Sequence, residues 1–157
     1  MLLDIRGQVT PDDSRQHVVY RFQLDRLTAK IWIRFNYSPK VLEDNERAKS
    51  LIIAGIDLYS APEQKQLLKD AWERYQPLTN LITVSVDDPE GNRGACHRHD
   101  PEQLLFLAER DSSPGLTKGK LVAGVWSVTL SLHSIVSEQC SYHLQVWASE
   151  EETECIG

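Results

Sequence analysis

Gly124-Val125-Trp126-Ser127-Val128-Thr129-Leu130-Ser131-Leu132-His133, followed after a polar break by Tyr142-His143-Leu144-Gln145-Val146-Trp147, decides the fold of this chain. Trp126, Val128, Leu130 and Leu132 alternate with Ser127, Thr129, Ser131 and His133. Tyr142, Leu144 and Val146 alternate in the same way with His143, Gln145 and Trp147. A period of two sends successive side chains to opposite faces of a strand, so each apolar set lines one face of a sheet. Two such strands beside a Ser112-Ser113-Pro114-Gly115 loop predict a β-sandwich with Trp126, Leu130 and Leu144 in its core.

Working outward, the same alternation recurs. Leu3, Ile5 and Gly7 to Val9 begin a strand that stops at Thr10-Pro11-Asp12-Asp13-Ser14. His17 to Leu24 sets Val18, Tyr20, Phe22 and Leu24 against Val19, Arg21 and Gln23. In Leu27 to Tyr37, Ile31, Ile33 and Phe35 oppose Lys30, Trp32, Arg34 and Asn36. Asp25-Arg26 is the place for a tight turn between these two. Leu42 to Lys49 is polar and open to a short helix or a loop, and Leu51 to Leu58 is an apolar run of strand length. One inserted helix is expected over 62–75. Ser60 and Glu63 have capping-box spacing, Leu67, Leu68, Ala71, Trp72 and Tyr75 form a helical stripe, and Pro77 ends it. Leu81 to Val86 and Leu104 to Ala108 are further strands, and Asp87-Asp88-Pro89-Glu90-Gly91 is a turn. The expectation is a mainly β, antiparallel, jelly-roll-like sandwich over 1–148 with an acidic, solvated tail at 149–157.

Composition narrows the function classes. The 157 residues fit one domain, because compact domains mostly run to roughly 100–200 residues. A net charge of −6 argues against a nucleic-acid partner, which would need Lys and Arg concentrated on one face. Cys96, Cys140 and Cys155 are odd in number and far apart, which is neither a disulfide framework nor a metal knuckle. No apolar run approaches the roughly 20 residues of a membrane span, and no secretory leader is visible. A reducing, cytoplasmic setting without membrane contact is expected.

Cys96-His97-Arg98-His99-Asp100 is the densest group of polar chemistry. On a strand, His97 and His99 would aim both imidazoles to one face and share a metal. Gly91, five residues and then His97-x-His99 match the start of the cupin metal pattern, but its second half is missing and Pro101 favours a loop. A catalytic metal normally has three protein ligands, so Asp100, His133 or His143 would have to complete the set. His133 and His143 sit where they could meet across a hairpin. Asp87, Asp88 and Glu90 read as turn residues rather than calcium ligands. There is no nucleophile elbow or phosphate-binding glycine loop. No catalytic set, metal or cofactor is therefore assigned. Of the tryptophans, Trp32 and Trp147 fall on the minority faces of their strands and mark a partner or oligomer surface if exposed.

Asn80-Leu81-Ile82-Thr83-Val84-Ser85-Val86-Asp87-Asp88-Pro89-Glu90-Gly91-Asn92-Arg93-Gly94, the His97-Arg98-His99 group, Ser113-Pro114-Gly115-Leu116, Gly124-Val125-Trp126-Ser127-Val128 and Cys140-Ser141-Tyr142-His143-Leu144 carry a resemblance. Together they resemble the amino-terminal β-sandwich that precedes the catalytic domain in CehA/McbA-type PHP metallohydrolases. The likeness covers the second half of the chain and extends to the first half only in strand pattern. It implies a jelly-roll-like sandwich akin to accessory and carbohydrate-binding modules, and it does not imply hydrolysis. The leading expectation is a non-catalytic module that binds or scaffolds a protein, a second copy of itself or a glycan, with Arg93, His97, Arg98, His99 and Asp100 facing the ligand. The alternative is a small metal-dependent, cupin-like enzyme using His97 and His99.

Overall fold

The structure, a computed structural model, describes residues 1–150. Among them are eight strands: β1 (Leu3–Val9), β2 (Gln16–Leu24), β3 (Lys30–Ser38), β4 (Leu81–Asp88), β5 (Gly91–Cys96), β6 (Glu102–Ala108), β7 (Gly124–Ser134) and β8 (Cys140–Ser149). Two helices, α1 (Asn45–Tyr59) and α2 (Lys65–Asp70), lie between β3 and β4. Sheet A has the order β1-β8-β3-β6 and sheet B the order β2-β7-β4-β5, with every pairing antiparallel. Each strand thus pairs with its counterpart counted from the other end of the chain. A long antiparallel ribbon rolled in this way gives the two four-stranded sheets of a jelly roll.

The alternation read from the sequence is the alternation of burial. Trp126, Val128, Leu130 and Leu132 of β7 meet Leu144 and Val146 of β8 and Ile31, Ile33 and Phe35 of β3 between the sheets, none more than 1% exposed. Trp126 keeps its indole N–H satisfied by donating to the Val122 carbonyl at 2.9 Å. β7 and β8 belong to different sheets, as do β2 and β3. Asp25-Arg26 therefore joins strands across the sandwich and not within a hairpin, and His133 and His143 do not face each other. β8 runs one residue beyond the expected domain limit, to Ser149, which pairs with Lys30. Glu150 forms an ion pair with Arg26 at 2.8 Å. The rest of the expected tail lies outside the described residues.

The helical insertion differs from expectation. The apolar run of strand length is the second half of α1. Asp44 caps its start by accepting from the Arg47 amide at 3.1 Å, and Ala48, Ile52 and Ile56, four residues apart, are its buried stripe. Ser60 ends α1 by donating its amide to the Ile56 carbonyl, so that amide is not open to Glu63, and the following helix starts only at Lys65 with no side-chain cap. The segment expected as one helix over 62–75 divides into α2 and a 3-10 turn at Trp72–Tyr75. Its stripe does not turn inward: Leu67 is 73% exposed and Tyr75 47%.

The two flanks of the sandwich are unlike. On the β5/β6 flank, residues 111–117 bond to both edge strands. The Ala108 amide donates to the Asp111 carbonyl, the Ser113 amide to the Phe106 carbonyl of β6 while the Phe106 amide donates to the Ser113 hydroxyl, and on β5 the Ala95 amide donates to the Gly115 carbonyl and the Arg93 carbonyl accepts from the Thr117 amide. The approach is close enough to demand glycine. A Cβ on Gly94 (φ +106°) would lie 2.1 Å from the Gly115 oxygen, and one on Gly115 (φ +97°) 2.5 Å from that of Ala95. On the opposite flank, β1 and β2 have no such cover among the described residues.

Candidate functional site

The sequence candidates scatter. His97, His99 and Asp100 are exposed on the loop between β5 and β6, and Arg98 is half-buried there. Asp100 shapes that loop by accepting from the Glu102 amide at 3.0 Å, while its carbonyl accepts from Gln103 at 2.9 Å. His133 stands on the outer face of sheet B, 2.7 Å from the Thr83 hydroxyl, and His143 on the outer face of sheet A, 2.6 Å from Asp4. Neither reaches the His97 loop. Among the described residues no three His, Cys, Asp or Glu side chains stand close enough to share a metal ion. Cys96 is buried, and burial pushes its thiol up against a weaker opposing pull from Arg98. A thiol so held is a poor nucleophile.

Arg93 is turned inward, and it corrects the expectation that it meets a ligand. Its side chain is 8% exposed and pairs with Asp88, 9% exposed, at 3.0 Å. The guanidinium also donates to the carbonyls of Thr117 (2.8 Å), Gly119 (3.0 Å) and Lys120 (3.2 Å), and it lies 5.3 Å from the Trp126 ring. Asp88 in turn accepts from the Glu90 and Gly91 amides, which makes the acidic turn a structural one. Burial alone would raise the Asp88 carboxyl, but Arg93 and the two amides outweigh it and hold the group below its ordinary value. The Asp-Pro-Glu-Gly-Asn-Arg-Gly and Ser-Pro-Gly segments are thus two halves of one clamp on the closed flank.

Trp32 and Trp147 are cross-strand neighbours on the outer face of sheet A, with centroids 6.2 Å apart, and Phe106 lies 5.6 Å from Trp32. Each indole also has a cation over it: Lys30 is 4.3 Å from Trp32 and Arg34 is 5.5 Å from Trp147. Trp32 is only 9% exposed. The cluster is therefore packed against itself, which leaves little open ring face for a sugar to stack upon.

Four large exposed apolar side chains, Leu58, Tyr59, Leu67 and Tyr75, gather on the helical insertion, where the sequence pattern pointed to strand and core. Beside the buried stripe of α1 runs a second one, Leu51, Gly55 and Tyr59, again four residues apart. With Ile56, Tyr75 and Leu78 it lines a groove of about 360 Å³. Tyr59 is 78% exposed, and Leu58 and Leu67, on the same pair of helices, are 75% and 73% exposed. A Cβ on Gly55 would have nothing within 4 Å, so the groove is open at that point. Lys69 of α2 reaches Asp57 of α1 at 2.7 Å, and this bond holds the Asp57 carboxyl below its ordinary value. The spacing of Ala48, Ile52 and Ile56 behind an Asp44 cap was the signal for α1, masked by the β-branched pair Ile52-Ile53.

No protein-family model matches the chain, and no curated protein does. Among solved structures, the crystal structure of GEBA250068378 from Sulfurospirillum deleyianum aligns over 95% of this chain and 99% of that one, at 8% identity and a TM-score of 0.36.

Proposed function

We propose that this chain is a non-catalytic jelly-roll module that docks an apolar segment of a partner protein in the groove between α1 and the Tyr75-Gln76-Pro77-Leu78 stretch. The observation that carries the reading is the set of large apolar side chains left in water in and around it: Tyr59 and Tyr75 line the groove, and Leu58 and Leu67 are exposed on the same pair of helices. Burying a Leu or Phe side chain is worth about 1.5–3 kcal/mol, so several left exposed together favour association. A groove walled by one helix and floored at Gly55 suits an amphipathic helix or an extended segment whose apolar side chains enter it.

The resemblance to an accessory sandwich of PHP metallohydrolases supports a partner role and makes a separately encoded hydrolase the first class of partner to try. A glycan is less favoured, because the indoles of sheet A are engaged with one another and with cations. A reducing, cytoplasmic setting suits the two buried free thiols, Cys96 and Cys140.

Gly55→Phe tests the reading, since the space above Gly55 accepts a side chain without disturbing the helix. Wild-type chain should retain a protein that Gly55→Phe releases, while a His97→Ala/His99→Ala variant retains it. If Gly55→Phe, folded as wild type, holds the same protein equally well, or if the histidine variant loses it, the groove is not the docking site.

A further inference from the structure

The unlike flanks lead to a second surface. β5 and β6 are both sealed by residues 111–117, whereas β1 pairs only with β8 and no backbone hydrogen bond among the described residues reaches its free side. β1 is seven residues long, in unbroken register with β8, and has neither a proline nor a bulge. A regular free edge of this length is a template for another strand. Beneath it the apolar side chains are only half covered: Leu3 of β1 and Val18 and Tyr20 of β2 are partly buried against the core, and Ile5 of β1 is half-buried.

The order of residues along β1 specifies what fits this edge. Asp4 and Arg6 are exposed on the outer face, one on each side of Ile5; the Asp4 Oδ1 lies 2.6 Å from His143 of the same copy, and the Asp4 side chain stays half exposed. Arg6 has no carboxylate partner among the described residues. If β1 pairs antiparallel with another β1 about Ile5, Asp4 falls opposite the second copy's Arg6, and Arg6 opposite its Asp4. Ile5 then meets Ile5 on the inner face. Opposed residues share a face in such a ladder, so the two charge pairs lie on the outer face while the apolar residues extend the core. β2, the other free edge, has no complementary pair: the same operation about Tyr20 sets Val19 against Arg21. We infer that the chain forms a two-fold dimer through β1, which joins sheet A of two copies into one continuous eight-stranded sheet. The inference rests on the free edge and its charges, and it stands whether or not the helical groove binds a partner.

Sedimentation velocity of the 157-residue chain over a concentration series at low salt tests it. The wild type is expected to form a concentration-dependent dimer. Asp4→Arg alone and Arg6→Asp alone each set like charges opposite one another twice, and each should weaken the dimer about tenfold. The Asp4→Arg/Arg6→Asp swap restores both opposite-charge pairs and should return affinity to within about threefold of wild type. Circular dichroism of every variant reports that the fold is retained, since both side chains are on the surface. A wild type that stays monomeric, a dimer indifferent to both single reversals, or a swap that fails to recover affinity would overturn the proposal.

Discussion

Replacing Arg93 with alanine should open the closed flank of the sandwich. The Arg93 side chain is 8% exposed and the Asp88 carboxylate 9%, so the substitution strands a buried charge. Removing one member of a buried ion pair costs about 3–5 kcal/mol. The carbonyls of Thr117, Gly119 and Lys120 lose their donors as well, but Thr117 and Lys120 are exposed residues where water substitutes at little cost. A loss near 4 kcal/mol is therefore expected, a large part of the roughly 5–15 kcal/mol that holds a domain folded. Urea unfolding followed by tryptophan fluorescence is a suitable assay, because Trp126 lies against the guanidinium. The pH dependence has a definite sign. Asp88 has a lowered folded-state pKa, so its contribution is present above the unfolded carboxyl value and is lost as pH falls through the folded one. The gap between wild type and Arg93→Ala should be complete at neutral pH and narrow below about pH 4. A loss under about 1 kcal/mol, or full additivity with Asp88→Asn, would refute the clamp.

Three further substitutions follow from close contacts or their absence. Asn80 is fully buried, and its side-chain oxygen accepts from the Val136 and Ser137 amides, so Asn80→Ala should cost about 2–4 kcal/mol by chemical denaturation as both donors go unpaired. Gly7→Ala would bring a methyl within 2.4 Å of the Tyr142 ring, and its expected cost of about 1–3 kcal/mol should largely vanish in the Gly7→Ala/Tyr142→Leu double variant. Gly55→Ala, inside α1 with open space above it, should raise stability by about 0.5–1 kcal/mol, measured in the same way.

The strands were legible where burial on one face imposes alternation, as in β1, β2, β7 and β8, and in β3 from the alternation of Ile31, Ile33 and Phe35 even though Lys30 and Trp32 on its other face are buried too. β5 was not, because Gly91-Asn92-Arg93-Gly94-Ala95-Cys96 has two glycines and no β-branched residue; the hairpin turn at Asp88 to Gly91 and the clamp hold it in place instead. Which strands pair was illegible too. The turn residues between β2 and β3 look the same whether the chain stays in its sheet or crosses to the other, and the rolled ribbon makes it cross. The helical insertion was misread because Leu51 to Leu58 satisfies strand length and helix periodicity alike, and only the stripe at Ala48, Ile52 and Ile56 separates the two. As for the site, the His97 to Asp100 group is chemically dense in sequence, yet His97, His99 and Asp100 are exposed, and among the described residues no set of three metal-ligating side chains forms there. Arg93 drew attention for its charge, and the structure uses that charge internally. The groove carries no polar motif at all, so nothing in a search for chemistry would find it.

The central claim, that the helical groove is where a partner protein docks, is tested most directly by photo-crosslinking from within it. A photoreactive side chain placed at Tyr59 or at Tyr75, both exposed and lining the groove, is compared with the same group at His99 on the β5/β6 loop. In extract of the native cell, one shared protein adduct is expected from Tyr59 and Tyr75 and none of it from His99. An adduct from His99 with nothing from the two groove positions would contradict it.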